Sequence, residues 1–129
     1  MKAAETIGNW IWEHLPEDLV PYWDFSAPKE QQFARDSSAA ACMASGYLEL
    51  SSLEDDQEKK QKYQNMTEQI LQSLLEHYAD FSLENQGILQ KGTVSFPNDR
   101  HINVPIIYGD YFLLEALMKL TEPEFVRIF

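Results

Sequence analysis

Apolar residues recur at intervals of three and four in four separate stretches of this chain, and that period commits it to helices. Residues 3–14 set Ala4, Ile7, Ile11 and His14 along one stripe, and Pro16, which has no backbone N–H to donate, ends the run. Residues 37–52 follow Asp36, a good N-cap, and space Ala40, Met43, Ala44, Tyr47 and Leu48 for burial. A third helix, about 56–79, starts in the acidic turn Glu54-Asp55-Asp56, which suits the positive end of a helix dipole. It aligns Tyr63, Met66, Ile70, Leu74 and Tyr78, with the charges from Glu58 to Lys62 on its solvated side. A fourth begins after Gly109-Asp110 and runs from Tyr111 to Leu120, apolar round most of its circumference, which implies burial on more than one side.

The segments between them, 15–35 and 80–109, are much longer than the few residues that usually join packed helices, and long loops of this kind carry function. The first is aromatic and Pro-rich (Pro21-Tyr22-Trp23-Asp24-Phe25, then Pro28). The second mixes Gly, Pro and polar groups from Lys91 to His101 and admits short strands at 88–90 and 93–96. Gly87, Gly92 and Gly109 read as helix ends and turns. The fold class is all-α, about four helices with two long loops, and 129 residues in 15.0 kDa fit one domain over 1–129.

Charge removes whole classes of function. Ten basic against 21 acidic residues leave a net charge of -11, the wrong sign for neutralising phosphates, so nucleic acid and anionic membrane surfaces are not expected partners. No apolar run approaches the roughly 20 residues of a membrane span, and the first residues lack the apolar stretch of a secretory signal. Cys42, the single cysteine, has no second with which to form an internal disulfide. Its small-residue run Ala39-Ala40-Ala41-Cys42-Met43-Ala44 reads as buried helix, and a reducing, cytoplasmic setting is expected. His14, His77 and His101 are scattered, with no zinc-ligand spacing, HExxH or EF-hand pattern, so no metal is expected. No Gly-rich nucleotide motif or GxSxG occurs either.

Two clusters remain. Tyr22-Trp23-Asp24-Phe25 precedes Arg35-Asp36-Ser37-Ser38, and an exposed Trp beside Asp and Arg is a sugar-site combination: the ring covers the apolar face of a sugar while charged groups grip its hydroxyls or carboxylate. The plainer reading has Trp23 and Phe25 pinning the loop to the helix ends, with Asp36 and Ser37 capping. In the second cluster Ser95, Asn98, Arg100 and His101 offer several hydrogen-bonding groups, or form an ordinary polar turn.

Three linked motifs add a family. Val20-Pro21-Tyr22-Trp23-Asp24-Phe25, Arg35-Asp36-Ser37-Ser38-Ala39-Ala40-Ala41 with Ala44-Ser45-Gly46-Tyr47-Leu48-Glu49-Leu50 behind it, and Ile107-Tyr108-Gly109-Asp110-Tyr111-Phe112-Leu113-Leu114-Glu115-Ala116-Leu117 resemble the unsaturated glucuronyl hydrolases of glycoside hydrolase family 88. The resemblance covers nearly this whole chain but only the carboxy-terminal part of the family's longer one. It implies a partial (α/α)6 toroid of helical hairpins and a substrate that is an unsaturated uronic-acid oligosaccharide derived from a glycosaminoglycan, hydrolysed by hydration of the C4=C5 bond of the sugar. No metal or organic cofactor is implied. In the family two amino-terminal aspartates carry the catalysis, and this sequence has no counterpart of that region, so no residue here is assigned as catalytic and the chain alone is expected to be inactive. Asp24 and Asp36 lie in shared motifs without being those aspartates, and Asp36 reads as a helix cap ion-paired with Arg35 or another base. The resemblance places the loop 91–103 on the substrate side: Ser95 matches a sugar-contacting serine, while Asn98 and Arg100 are similar in character to their counterparts. The substrate-binding set is therefore Trp23, Arg35, Ser95, Asn98 and Arg100, with Arg35, Lys91 and Arg100 supplying a local field against the overall negative charge.

A partial ring should leave apolar faces such as Ile7/Ile11 and Leu113/Leu117 open to water. Self-association, or binding to a separately encoded amino-terminal half, is expected to cover them. The rival expectation is a non-catalytic helical interaction or scaffold module that kept the helices and lost the sugar chemistry.

Overall fold

The computed structural model describes residues 1–122 and residue 124. Among the described residues four α-helices follow in order, α1 (Lys2–His14), α2 (Ser37–Leu53), α3 (Gln57–His77) and α4 (Ile107–Thr121), with a 3-10 turn at Lys29–Gln31 in the first long connection. Among the described residues there is no strand: the segments 88–90 and 93–96 contribute only isolated antiparallel bridges, Ala79 with Leu89, Gly92 with Val104 and Ser95 with Arg100.

The starts of α2 and α3 follow from their caps. Asp36 accepts hydrogen bonds from the Ser38 and Ala39 backbone N–H groups, and Asp56 does the same for Glu58 and Lys59, so two otherwise unpaired donors are met at each end. All five residues expected on the inner face of α3 are buried, and Thr67 joins them by donating to the Ala44 carbonyl of α2 at 3.1 Å. α2 is the central element, packed against α3 on one side and α4 on another. Its Ala40, Ala41, Ala44 and Ser45 are small enough to let both neighbours approach closely.

Several expectations are corrected. Cys42 is exposed, because the inward arc of α2 passes through Ala41, Ala44, Ser45 and Leu48 and leaves position 42 on the outer side. α4 starts at Ile107, two residues before Gly109, which lies inside the helix rather than ending it. A Cβ there would sit 3.2 Å from Leu89 Cδ2, so the missing side chain is what lets the second loop close on α4. Burial of α4 is one-sided: Leu113 and Ala116 enter the core and Leu117 packs against it, while Leu114 is 62% exposed. Of the faces expected open, Leu113/Leu117 is thus covered, and Ile7 remains 60% exposed. α1 is tied to α2 at Gly8, its one buried residue, whose carbonyl accepts from Tyr47 Oη at 2.7 Å.

A buried polar seam fastens α2 to α4. Ser45 Oγ donates to Glu115 Oε1 at 2.6 Å, and Lys119 Nζ reaches both Glu115 at 3.0 Å and Glu49 at 2.9 Å. Burial opposes the charge on Glu115, but hydrogen bonds from Ser45, Tyr111 and Lys119 together with the lysine charge outweigh it and bring the carboxyl down to about 2.

Candidate functional site

The two long loops meet on the four residues that lead into α2. From the first loop, Trp23 N–H donates to the Ala34 carbonyl at 2.9 Å, and the Pro21 carbonyl accepts from Asp36 N–H at 2.9 Å. From the second, the Lys91 carbonyl accepts from Ser37 N–H at 3.1 Å, Gln90 O accepts from Ser37 Oγ at 2.6 Å, and Thr93 Oγ1 donates to Arg35 O at 2.7 Å. Asn103 Oδ1 completes the set by accepting from Arg35 N–H at 2.9 Å. α4 holds the root of the same loop, because Asp110 in its first turn accepts from Ile88 N–H at 3.1 Å and Leu89 N–H at 2.7 Å.

The loops also touch through rings. Trp23 stacks on Phe96 with centroids 4.9 Å apart and planes at 14°, and Phe33 makes an edge contact with Phe96 at 5.8 Å. Trp23 is therefore partly buried rather than the open platform expected, and its indole N–H is buried without a hydrogen-bond partner. Phe25 pins the loop to α1 through an edge contact with Trp10 at 5.2 Å. Next to Phe96, Ser95 and Arg100 exchange backbone hydrogen bonds at 3.1 and 3.0 Å, and Asn98 Nδ2 donates to Ser95 Oγ at 2.7 Å. One tight turn thus presents Ser95, Asn98 and Arg100 beside the Trp23–Phe96 stack, with the Asn98 and Arg100 side chains exposed. Lys91, Asp99, His101 and Asn103 all have positive φ, so this loop concentrates backbone strain that neighbouring hydrogen bonds hold in place.

Arg35 occupies a different environment from the other four. Its guanidinium is only 15% exposed: it pairs with Asp18, donates through Nε to Tyr78 Oη at 3.1 Å, and lies 4.6 Å over the Tyr22 ring. The expected pairing of Arg35 with Asp36 is replaced by this one, because Asp36 turns to cap α2. Tyr78 Oη also donates to Asp18 at 2.6 Å, and Lys91 Nζ lies 5.4 Å from the Tyr78 ring centroid. Burial, reinforced by the bond to Asp18, pushes the Tyr78 phenol up to about 12. Asp18 loses some solvation as well, yet the bonds from Tyr78 and Arg35 hold its carboxyl below the usual range. This cluster fixes charges and carries no group poised to exchange a proton near neutral pH.

A hollow of about 260 Å3 opens beside Asp18, walled by Glu17, Glu76 and His77, an acidic lining that does not suit a uronate. Another of about 660 Å3 lies between α1 and α3 near Trp12 and Met66, away from the expected residues. Among the described residues no group of three or more His, Cys, Asp or Glu side chains is placed to hold a metal ion. No helix there is long and apolar enough to cross a membrane.

Phe96, Asp18, Thr93 and Asn103 build this junction without having been singled out in the sequence, and Tyr78, expected there only as an inner-face residue of α3, adds its hydroxyl. Phe96, a lone ring in a polar stretch, was the available signal; the pairing of Asp18 with Tyr78, 60 residues apart, gives none.

No protein-family model matches the chain. An unsaturated glucuronyl hydrolase of Formosa agariphila is 36% identical over 123 residues, which is 92% of this chain and 30% of the relative. The crystal structure of the unsaturated glucuronyl hydrolase of Bacillus sp. GL1, described as responsible for glycosaminoglycan degradation, superposes with a TM-score of 0.88 at 33% identity, covering 95% of this chain and 33% of that one. The chain is a part-length homologue of the unsaturated glucuronyl hydrolases. Its four helices form a partial α/α toroid spanning about 30% of the length of the curated relatives it matches. A variant of the Streptococcus agalactiae glucuronyl hydrolase, solved in complex with dGlcA-GalNAc6S, superposes with a TM-score of 0.82 at 30% identity over 93% of this chain and 32% of that one.

Proposed function

We propose that this chain carries the substrate-side rim of an unsaturated glucuronyl hydrolase and takes part in removing unsaturated uronic acid from glycosaminoglycan-derived oligosaccharides, as a carboxy-terminal segment in a cytoplasmic setting. The observation that supports this most directly is the Trp23–Phe96 stack at 4.9 Å, which brings the aromatic loop and the Ser95–Arg100 turn to one edge of the arc. Arg100 supplies a cation for a carboxylate or sulfate, a contact worth about 1.5–3 kcal/mol when charge-assisted. Asn98 and Ser95 supply neutral donors, Trp23 a ring edge, and Arg35 acts from behind by holding both loops through its backbone and guanidinium. No residue of the chain is assigned to proton transfer, so turnover requires groups outside it. Covering of the open helix faces by a second copy or by a partner segment belongs to the same reading.

The test is calorimetric titration of the purified chain with an unsaturated chondroitin disaccharide such as dGlcA-GalNAc6S, together with the loss of its double-bond absorbance. Weak binding that Arg100→Ala abolishes, without turnover, is expected. Binding unaffected by Trp23→Ala and Arg100→Ala, or none at all, favours the scaffold reading, which the exposed apolar side of α4 supports.

A further inference from the structure

Residues 34–36 serve both long loops, one on each side. In extended backbone the hydrogen-bonding groups of successive residues point to opposite edges. The Ala34 carbonyl and Asp36 N–H accordingly face the first loop, where Trp23 N–H and the Pro21 carbonyl meet them, while the N–H and carbonyl of Arg35 face the second. The two sides are held differently. Backbone fastens the first loop, through an antiparallel bridge of Tyr22 with Arg35. Side chains fasten the second: Thr93 Oγ1 donates to Arg35 O at 2.7 Å, and Asn103 Oδ1 accepts from Arg35 N–H at 2.9 Å. Thr93 and Asn103 follow and precede the facing pair of a small hairpin, in which Gly92 and Val104 exchange backbone hydrogen bonds at 2.8 and 2.9 Å and whose tip is the Ser95–Arg100 turn. Asn103 does more than Thr93. Its Nδ2 donates to Phe33 O at 2.9 Å, and its own N–H donates to Thr93 Oγ1 at 3.3 Å. One amide thus grips the backbone at residues 33 and 35 together, and a carbonyl on one side with an N–H on the other fixes which way that amide points. Its φ of 54° lies in the left-handed region, which asparagine tolerates better than most residues.

From this geometry we infer that Asn103 is a positioning residue for the sugar-facing turn: its amide clips the hairpin 92–104 to the backbone at residues 33 and 35 and so sets Ser95 and Arg100 beside Trp23. This rests on the reading of that turn as the substrate-side rim and adds the residue that places it. The clip acts on the turn as a unit. The hairpin keeps its own backbone bonds when the clip opens, so Ser95, Asn98 and Arg100 shift together relative to Trp23 while α2 retains its Asp36 cap. Arg35, in turn, is held from behind by Asp18 and Tyr78, so the backbone that Asn103 grips is itself fixed.

The experiment compares two variants of the full chain by amide hydrogen exchange in nuclear magnetic resonance. Asn103→Gly removes the clip without adding strain, because glycine adopts a left-handed φ freely. Asn103→Asp keeps an oxygen for Arg35 N–H. With helical circular dichroism unchanged, the Arg35 amide should exchange about tenfold faster or more in the glycine variant and stay within about threefold of the parent in the aspartate variant. Nuclear Overhauser contacts between the Trp23 and Phe96 rings should fade with glycine and persist with aspartate. Affinity for dGlcA-GalNAc6S should fall about fivefold in the glycine variant. Arg100→Ala, which removes a sugar contact and not the clip, should lose the sugar and leave Arg35 exchange at its parental rate. Thr93→Val, which removes the hydroxyl shared by Arg35 O and Asn103 N–H, takes the place of a glycine variant that loses its helical signal, with the same expectations. Unchanged Arg35 exchange, persisting ring contacts, or parental sugar affinity in the glycine variant overturns the inference. A parent chain that ignores the disaccharide removes the functional reading alone, and the clip then stands or falls on the exchange rate and the ring contacts.

Discussion

Single side chains in this protein do opposite jobs at similar cost, and Trp23 shows the balance. Its ring gains a stacked contact with Phe96, yet its indole N–H is buried without a partner, a loss of about 1–3 kcal/mol for such a group. Trp23→Phe keeps a ring on Phe96 and removes the orphaned donor, so its unfolding free energy in urea should stay within about 0.5 kcal/mol of the parent, whereas Trp23→Ala should lose about 2 kcal/mol. Tyr47 and Tyr78 set the alkaline limit. Burial, first of all, pushes both phenols up to about 12, above an unfolded value near 10. A raised folded value means that their contribution is complete below pH 10 and disappears as pH climbs through 12. Thermal melts between pH 9 and 12 should therefore show a falling midpoint, and Tyr78→Phe should flatten part of that fall.

Elements are fastened by caps and by one polar seam. Asp36→Ala leaves the Ser38 and Ala39 N–H groups without their carboxylate and should cost about 1 kcal/mol in chemical denaturation, because the first turn of the central helix is the one loosened. The α2–α4 seam predicts an acid limit. Glu115 sits at about 2 when folded against a model value of 4.5, so its contribution is present above pH 4.5 and is lost as pH falls toward 2. After allowance for partial screening this is about 1–2 kcal/mol, and Glu115→Gln should remove the corresponding slope from stability measured between pH 5 and pH 2.5. The Asp36 cap and the inner stripe of α3 were legible in the sequence because they are local: Asp36 and the Tyr63 to Tyr78 face obey spacing rules that need no neighbour, while Asp56 was read only as part of an acidic turn. The seam was not, since nothing within a few residues of Glu115 says that Ser45, 70 positions away, will meet it.

At the scale of the molecule, the arc has a covered interior and two uncovered ends, and its behaviour in solution should reflect that. Light scattering at rising ionic strength should report growing association, because salt screens the repulsion between chains of net charge -11 while leaving apolar contacts intact; a monomer at every salt concentration would contradict this. Helix number, the start of α2 and the presence of two long loops were decided by the sequence, since periodicity, the Asp36 cap and Pro16 act over a few residues, whereas the start of α4 at Ile107 was not. Its motifs carried the family as well. Only the tertiary structure decided that the loops converge on residues 34–37, that Arg35 turns to Asp18 and Tyr78 instead of Asp36, that Cys42 faces out, and that α4 buries one side and leaves the other open. Those outcomes depend on which surfaces compete for the same space and charge, and residues far apart along a chain settle that competition only when packing brings them together.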